Sequence, residues 1–268
     1  MSILQEAMAT ITLPKNLNAK QLNFSEVKKN AMGGNMVYIS YNDSKKLMIQ
    51  TPQIASPFGL STYTDEKTGN VKYSIDVSFR GMDEDAKVKM FHDKMQSIDE
   101  QLIDIAVENS KEWFGKKMSR EVVSELYKPI IKPSKEPEKY APTMKIKIRN
   151  IQTLEAYDDN RNAVVAEDTI VKGSKIRSIL ESASVWFVNK QFGLSWNMVQ
   201  VQVSKPEKLS GYSMMEDSDD DEFDAPQKVE LQDSDEEPSL PTEEPEDSDE
   251  EVTVKASKPA AKRTTKKA

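Results

Sequence analysis

Cysteine is absent from this 268-residue chain, and histidine occurs once. Disulfides, thiolate catalysis and cysteine-ligated zinc are therefore excluded. A catalytic triad would have to recruit His92, which follows the apolar helix position Phe91 by one residue and is expected to be exposed. No serine stands in a nucleophile-elbow context. Glycine is sparse, at 9 residues, and Gly33-Gly34 reads as a loop, with neither a P-loop nor a dinucleotide-binding turn around it. No run approaches the roughly 18 apolar residues of a membrane helix. Met1 to Leu13 carries Glu6 and lacks the basic start and apolar centre of a secretory signal. Carboxylates are plentiful, but those of the body scatter over turns and a helix face, where solvation accounts for them. These absences lead us to expect a soluble, intracellular, non-enzymatic protein with no cofactor and no metal.

What is present is charge, unevenly spread. Residues 1–208 hold 30 Lys+Arg and 26 Asp+Glu, a net of +4. Residues 209–254 hold 19 acids against Lys228, a net of −18, and residues 255–268 hold six bases and no acid. The sequence pI near 5.0 thus belongs to a tail, and the body is mildly basic. Such asymmetry suggests an interaction tail on a domain with its own anionic partner; the other reading is a solubilising tail. Apolar residues in the tail are too sparse to offset the entropy of ordering, so it is expected to be disordered. Within it Ser218, Ser234 and Ser248 are each followed by acids, the context that acid-directed kinases prefer, or else merely solvated acidic runs. The expected organisation is a flexible segment at 1–22, a domain at 23–206, an acidic tail at 207–254 and a basic end at 255–268.

Periodicity gives a mainly β (α+β) body. Val37 to Tyr41 alternates, Asn42-Asp43-Ser44 is turn chemistry, and Leu47-Met48-Ile49 follows. Val71, Tyr73, Ile75, Val77 and Phe79 form one period-2 face. Val88, Phe91, Met95, Ile98, Leu102 and Ile105, continued by Trp113, predict an amphipathic helix of about eight turns over 83–114. Asp83 is its expected cap and Gly115 its stop. A short helix is expected over Ser119 to Leu126. Met144, Ile146 and Ile148 then face one way, and Lys145, Lys147 and Arg149 the other. Gly173 marks a turn, Ile176 to Leu180 and Ser184 to Val188 read as strands, Asn189 to Gly193 as a turn, and Trp196 to Val203 as the last strand.

Cations that follow phosphates and aromatic faces that stack on unpaired bases are what a single-stranded nucleic-acid binder needs. Trp186, Phe192 and Trp196, with Lys190, lie on one predicted hairpin. Lys145, Lys147 and Arg149 make a basic strand face, and Lys172, Lys175 and Arg177 flank the Gly173 turn. Each has a second reading, since strand tryptophans commonly fill cores and alternating lysines protect sheet edges.

The segment Ser184-Val-Trp-Phe-Val-Asn-Lys-Gln-Phe-Gly-Leu-Ser-Trp-Asn-Met-Val-Gln-Val-Gln-Val203, with Ile49-Gln-Thr-Pro52 and Pro57-Phe-Gly59, resembles the single-stranded DNA-binding proteins of large nucleocytoplasmic DNA viruses of algae and amoebae. That group is related to the replicative single-stranded DNA-binding protein of podophages. The resemblance covers roughly residues 23–205. It implies an OB-fold-like antiparallel barrel with the long helix inserted, and sequence-tolerant binding of single strands during replication or recombination. It also implies an acidic tail that competes with DNA and contacts a viral polymerase, helicase or other replication protein, in the host cytoplasm or nucleus. A homodimer and a place in the virion are compatible with it. One departure is that the chain ends in Lys262-Arg263 and Lys266-Lys267, with its acidic-tail aromatic, Phe223, internal. The rival readings are an acidic-tailed chaperone of basic proteins and a virion structural or assembly protein.

Overall fold

Alternating apolar and polar residues become strands, and the architecture is mainly β with a few helices. The computed structural model describes residues 11–30, 33–42, 46–66, 68–206 and 214, all within one unit, Met1–Asp217. The expectations for residues 1–10, Asp43-Ser44, the three tail serines and the basic end lie outside the described residues. Among the described residues no helix is long and apolar enough to cross a membrane.

In chain order the first strands are β1 (Ile11–Thr12), β2 (Leu22–Phe24), β3 (Lys28–Lys29), β4 (Asn35–Val37), β5 (Ile39–Tyr41), β6 (Met48–Gln50), β7 (Ile54–Ser56), β8 (Leu60–Thr64) and β9 (Val71–Ser78). After three helical segments come β10 (Tyr127–Lys128), β11 (Ile131–Lys132), β12 (Thr143–Ile148), β13 (Glu155–Tyr157), β14 (Ser174–Val188) and β15 (Gln191–Ser204). β2 pairs with β5 in a separate two-stranded sheet; the others form one sheet.

Five of these strands pair in a circuit. β14 is antiparallel to β7 through Ser174–Ser56 and Ile176–Ile54. β7 meets β9 at Ala55–Ser78, and β9 is antiparallel to β12 from Ser78–Thr143 to Tyr73–Ile148. β12 runs parallel to β15 at Lys147–Asn197, and β15 returns antiparallel to β14. The inward residues Ile54, Ile75, Val77, Met144, Ile146, Ile176, Leu180, Trp196, Val201 and Val203 are buried. The apolar face of β9 fades toward the hairpin, since Val71 is exposed.

The long helix lies between β9 and β12 in sequence. It splits into α1 (Ala86–Glu108) and α2 (Ser110–Phe114). Asp85, not Asp83, caps it, accepting hydrogen bonds from the Lys87 and Val88 backbone N–H groups at 2.8 and 3.3 Å. The Asn109 side chain donates to the Ile105 carbonyl at 2.9 Å, a competing bond that interrupts the helix there. Gly115 ends α2 at φ 77°. Phe91, Met95, Ile98 and Leu102 are fully buried, each contributing about 1.5–3 kcal/mol. His92 is not on an exposed face: its side chain is 12% exposed, with the ring 5.1 Å from that of Phe79 in a T-shaped contact. The short helix α3 spans Arg120–Leu126, as expected. A last helical turn, α4, spans Ala166–Thr169.

Residues 11–22 belong to the segment expected to be flexible. β1 lies at a sheet edge on β6. The rest is anchored: Leu17, Ala19 and Leu22 are buried, and Lys94 Nζ of α1 donates to the Leu17 carbonyl at 2.7 Å.

Residues 174–204 form one long hairpin rather than several short strands. β14 bears irregularities at Ile179/Leu180 and Ser182/Val185. Its turn is two residues, Asn189-Lys190, both left-handed at φ 46° and 66°, a geometry whose twist matches that of the flanking strands. Gln191 to Gly193, read as turn, belong to β15.

Candidate nucleic-acid interface

Direct pairing places residues on a common face, and one such row crosses six strands on the outside of the circuit. It runs Met48 on β6, Glu181 on β14, Asn197 on β15, Lys147 on β12, Ser74 on β9 and Ser61 on β8. Met144, Ile146 and Ile148 point into the core while Lys145, Lys147 and Arg149 are exposed. The expected two faces of this strand are thus observed. Lys145 lies opposite Asp76. On the same outer face Tyr63 of β8 lies opposite Lys72 of β9, and Tyr63 is 55% exposed. An aromatic ring and several cations therefore share one sheet face, a composition suited to phosphates and an unstacked base.

Arg149 is not free to act alone. With the Asn197 amide oriented so that its oxygen faces the guanidinium, that oxygen accepts from Nη2 at 2.8 Å and from Nε at 2.9 Å. Nη2 also lies 3.4 Å from Glu181 Oε1, which accepts from Lys46 Nζ at 2.5 Å.

The aromatic hairpin divides. Phe192 and Trp196 are buried core residues, 0% and 1% exposed. Phe192 packs among Trp113 and Phe114 of α2, Tyr127 and Phe187, with ring centroids 5.1 to 6.4 Å apart. Trp186 is half-buried on the other side, opposite Met36 of β4 and Gly193 of β15. A Cβ at Gly193 would lie 2.8 Å from Trp186 Cζ2 and 2.9 Å from the Lys128 carbonyl oxygen, so a side chain there would have to displace the indole or the β10 backbone.

The remaining predicted cations do not converge on the β12 row. Lys190 is exposed at the hairpin tip. Lys172, Lys175 and Arg177 are exposed at the other end of β14. Arg177 lies opposite Gln202 and lines a depression of about 200 Å³ with Gln50, Tyr157, Gln200 and Gln202.

Sequence reasoning missed Lys46, whose partner Glu181 comes from a distant strand, and Tyr63 with Lys72, whose shared face depends on the register of the β8–β9 hairpin. It also missed the exposed Tyr38, which has Lys28 Nζ 5.6 Å from its ring centre. Asp99 was missed as well. It is buried on the inner face of α1 and accepts from Tyr127 Oη at 2.5 Å and from the Ile130 N–H at 3.3 Å. Burial, the dominant cause, pushes its carboxyl up to about 7 against the hydrogen bonds from Tyr127 and Ile130. Burial and the adjacent Asp99 likewise push the Tyr127 phenol well above its usual range. Both groups lie under the helix, away from the β12 row. Among the described residues no group of three or more His, Asp or Glu side chains is placed to hold a metal ion.

A family model described as "Family of unknown function (DUF5871)" matches residues 75–216, and the chain belongs to that family. No curated protein matches. Among solved structures, the chain is similar to the single-stranded DNA-binding protein from bacteriophage Enc34 in complex with ssDNA, at 15% identity and a TM-score of 0.40. That match covers 69% of this chain and 98% of the phage protein. It is also similar to gp2.5, a single-stranded DNA-binding protein encoded by bacteriophage T7, at 15% identity and a TM-score of 0.42, covering 64% of this chain and 99% of the other.

Proposed function

We propose that the protein binds single-stranded DNA without sequence preference and without catalysis, across the outer face of β8, β9 and β12. The observation that carries this is the single face shared by Lys145, Lys147 and Arg149 with Lys72 and the exposed ring of Tyr63. The strand circuit is read as an OB-like barrel with α1 inserted, whose outer sheet face is a natural track for a backbone. Phosphates follow the lysines, and a base stacks on Tyr63. Trp186 and the cations Lys172, Lys175, Arg177 and Lys190 serve as outlying contacts on a longer strand, while Phe192 and Trp196 hold the hairpin in place.

The biological setting follows the sequence resemblance: replication or recombination of a viral genome in the host cytoplasm or nucleus. The net −18 of residues 209–254 suits a competitor for the basic face that docks a polymerase or helicase once DNA displaces it. The experiment is a titration of the full chain with oligothymidine and with duplex of equal length, read by tryptophan fluorescence and by labelled oligonucleotide. Tighter binding to the single strand is expected. Preference for duplex would refute the single-strand reading, and no binding to either would favour a chaperone or assembly role through the tail.

A further inference from the structure

The row across the outer face contains one acid where a phosphate binder would be expected to carry none. Glu181 lies between Met48 and Asn197, with β15 separating it from Lys147. Its Oε1 atom takes both cations, Lys46 Nζ at 2.5 Å and Arg149 Nη2 at 3.4 Å. The Glu181 side chain is 15% exposed, whereas Lys46 and Arg149 are 57% and 60% exposed. The anion therefore sits low in the surface and the two cations stand in solvent above it. One oxygen drawing two cationic donors matches the charge and hydrogen-bonding of a phosphodiester oxygen.

We propose that Glu181 is a built-in stand-in for a backbone phosphate, which Lys46 and Arg149 hold in the free protein and exchange for a strand phosphate on binding. The inference rests on the single-strand reading of this face. The exchange is feasible because both cations are largely solvated, at 57% and 60% exposed, and Arg149 Nη2 is only loosely engaged at 3.4 Å. Asn197 keeps the guanidinium in place throughout, so Arg149 needs to release only its contact with the acid. Glu181 thus lowers the affinity of the face for any polyanion and makes binding depend more on base stacking, which a duplex cannot supply. The carboxylate acts as a specificity device against non-specific anions.

The test uses the full chain, with oligothymidine and inorganic polyphosphate as probes. Glu181→Gln keeps the shape and an acceptor for Lys46 but removes the charge. It should tighten oligothymidine binding about five-fold at low salt, the size of one weak ion pair that no longer has to be given up, with the number of phosphates contacted, and so the salt slope set by them, unchanged. The gain for polyphosphate should be at least as large. Lys46→Ala should cost more affinity in the Glu181→Gln background than in the wild type. This comparison decides the matter even if Glu181→Gln melts earlier. Equal or weaker oligothymidine binding by Glu181→Gln, with Lys46→Ala costing the same in both backgrounds, would overturn the proposal and leave Glu181 as an anchor for Arg149. If the wild type binds oligothymidine under those conditions, the single-strand reading survives that failure; if no variant binds, both fall.

Discussion

Replacing Asp99 by Asn should flatten the dependence of stability on pH. The folded chain holds this carboxyl protonated up to about pH 7, because α1 and the Tyr127–Ile130 segment bury it. The unfolded chain releases the proton near 3.8. Between these values the folded state binds more protons than the unfolded one, so stability falls as pH rises. The contribution is fully present below about pH 3.8 and gone above about pH 7. A shift of this size corresponds to something on the order of 4 kcal/mol across the window. Asn keeps one oxygen to accept from Tyr127 Oη and the Ile130 N–H, the bonds that fix the helix to the Tyr127–Ile130 segment. Urea unfolding followed by tryptophan fluorescence, from pH 4 to 8 at fixed ionic strength, measures the difference. Other carboxylates titrate equally in both proteins and cancel. The stability of Asp99→Asn relative to wild type should rise steadily from pH 4 to 7. Parallel profiles would refute a protonated Asp99 in the folded state.

The aromatic hairpin gives a second test: Phe192→Ala and Trp196→Ala should each cost about 3–5 kcal/mol of stability by opening a core cavity, whereas Trp186→Ala should leave the urea midpoint nearer wild type and weaken oligothymidine binding. Gly193→Ala should shift the Trp186 emission spectrum, because a Cβ cannot share the space of the indole. Ending the chain after Pro206 should tighten single-strand binding most at low salt, since a tethered acidic segment presents carboxylates at on the order of millimolar concentration; unchanged affinity would mean that the tail does not compete. Phosphorylation at Ser218, Ser234 and Ser248 would add roughly −1.5 to −2 charges each and strengthen that competition, which intact mass of the protein from its native source and a titration of the phosphorylated protein would establish.

The strands with a clean apolar alternation were legible: Ile75 and Val77 on β9 with Phe79 just beyond it, and Met144, Ile146 and Ile148 on β12, are buried as their spacing required. So was the stripe of α1, because heptad-like spacing survives over many turns. β14 read as two pieces because its inward positions include Ser174, Ser178 and Ser182, all buried, which break the hydropathy pattern without breaking the strand. The helix cap was misplaced by two residues because Asp83 and Asp85 are equally good acceptors by type and only the backbone path chooses between them. At the candidate site, the basic face of β12 was readable from Lys145, Lys147 and Arg149 alone. Tyr63, Lys72, Lys46 and Glu181 were not, since cross-strand register is a tertiary property. The same holds for Trp186, Phe192 and Trp196: the strand parity that buries two and half-exposes the third depends on irregularities at Ile179/Leu180 and Ser182/Val185 that composition does not reveal.

If single strands follow the outer face of β9 and β12, Lys145 and Lys147 must contribute to the salt dependence of binding. The most direct measurement is the slope of log affinity for oligothymidine against log salt, for the wild type and for a Lys145→Ala/Lys147→Ala variant of the full chain. Each phosphate contact on a single strand contributes about −0.7 to that slope. Removing both lysines should make the slope shallower by about 1.4 and weaken binding without changing the urea midpoint, since both side chains are exposed. Identical slopes and affinities in the two proteins would contradict it and move the DNA path off this face.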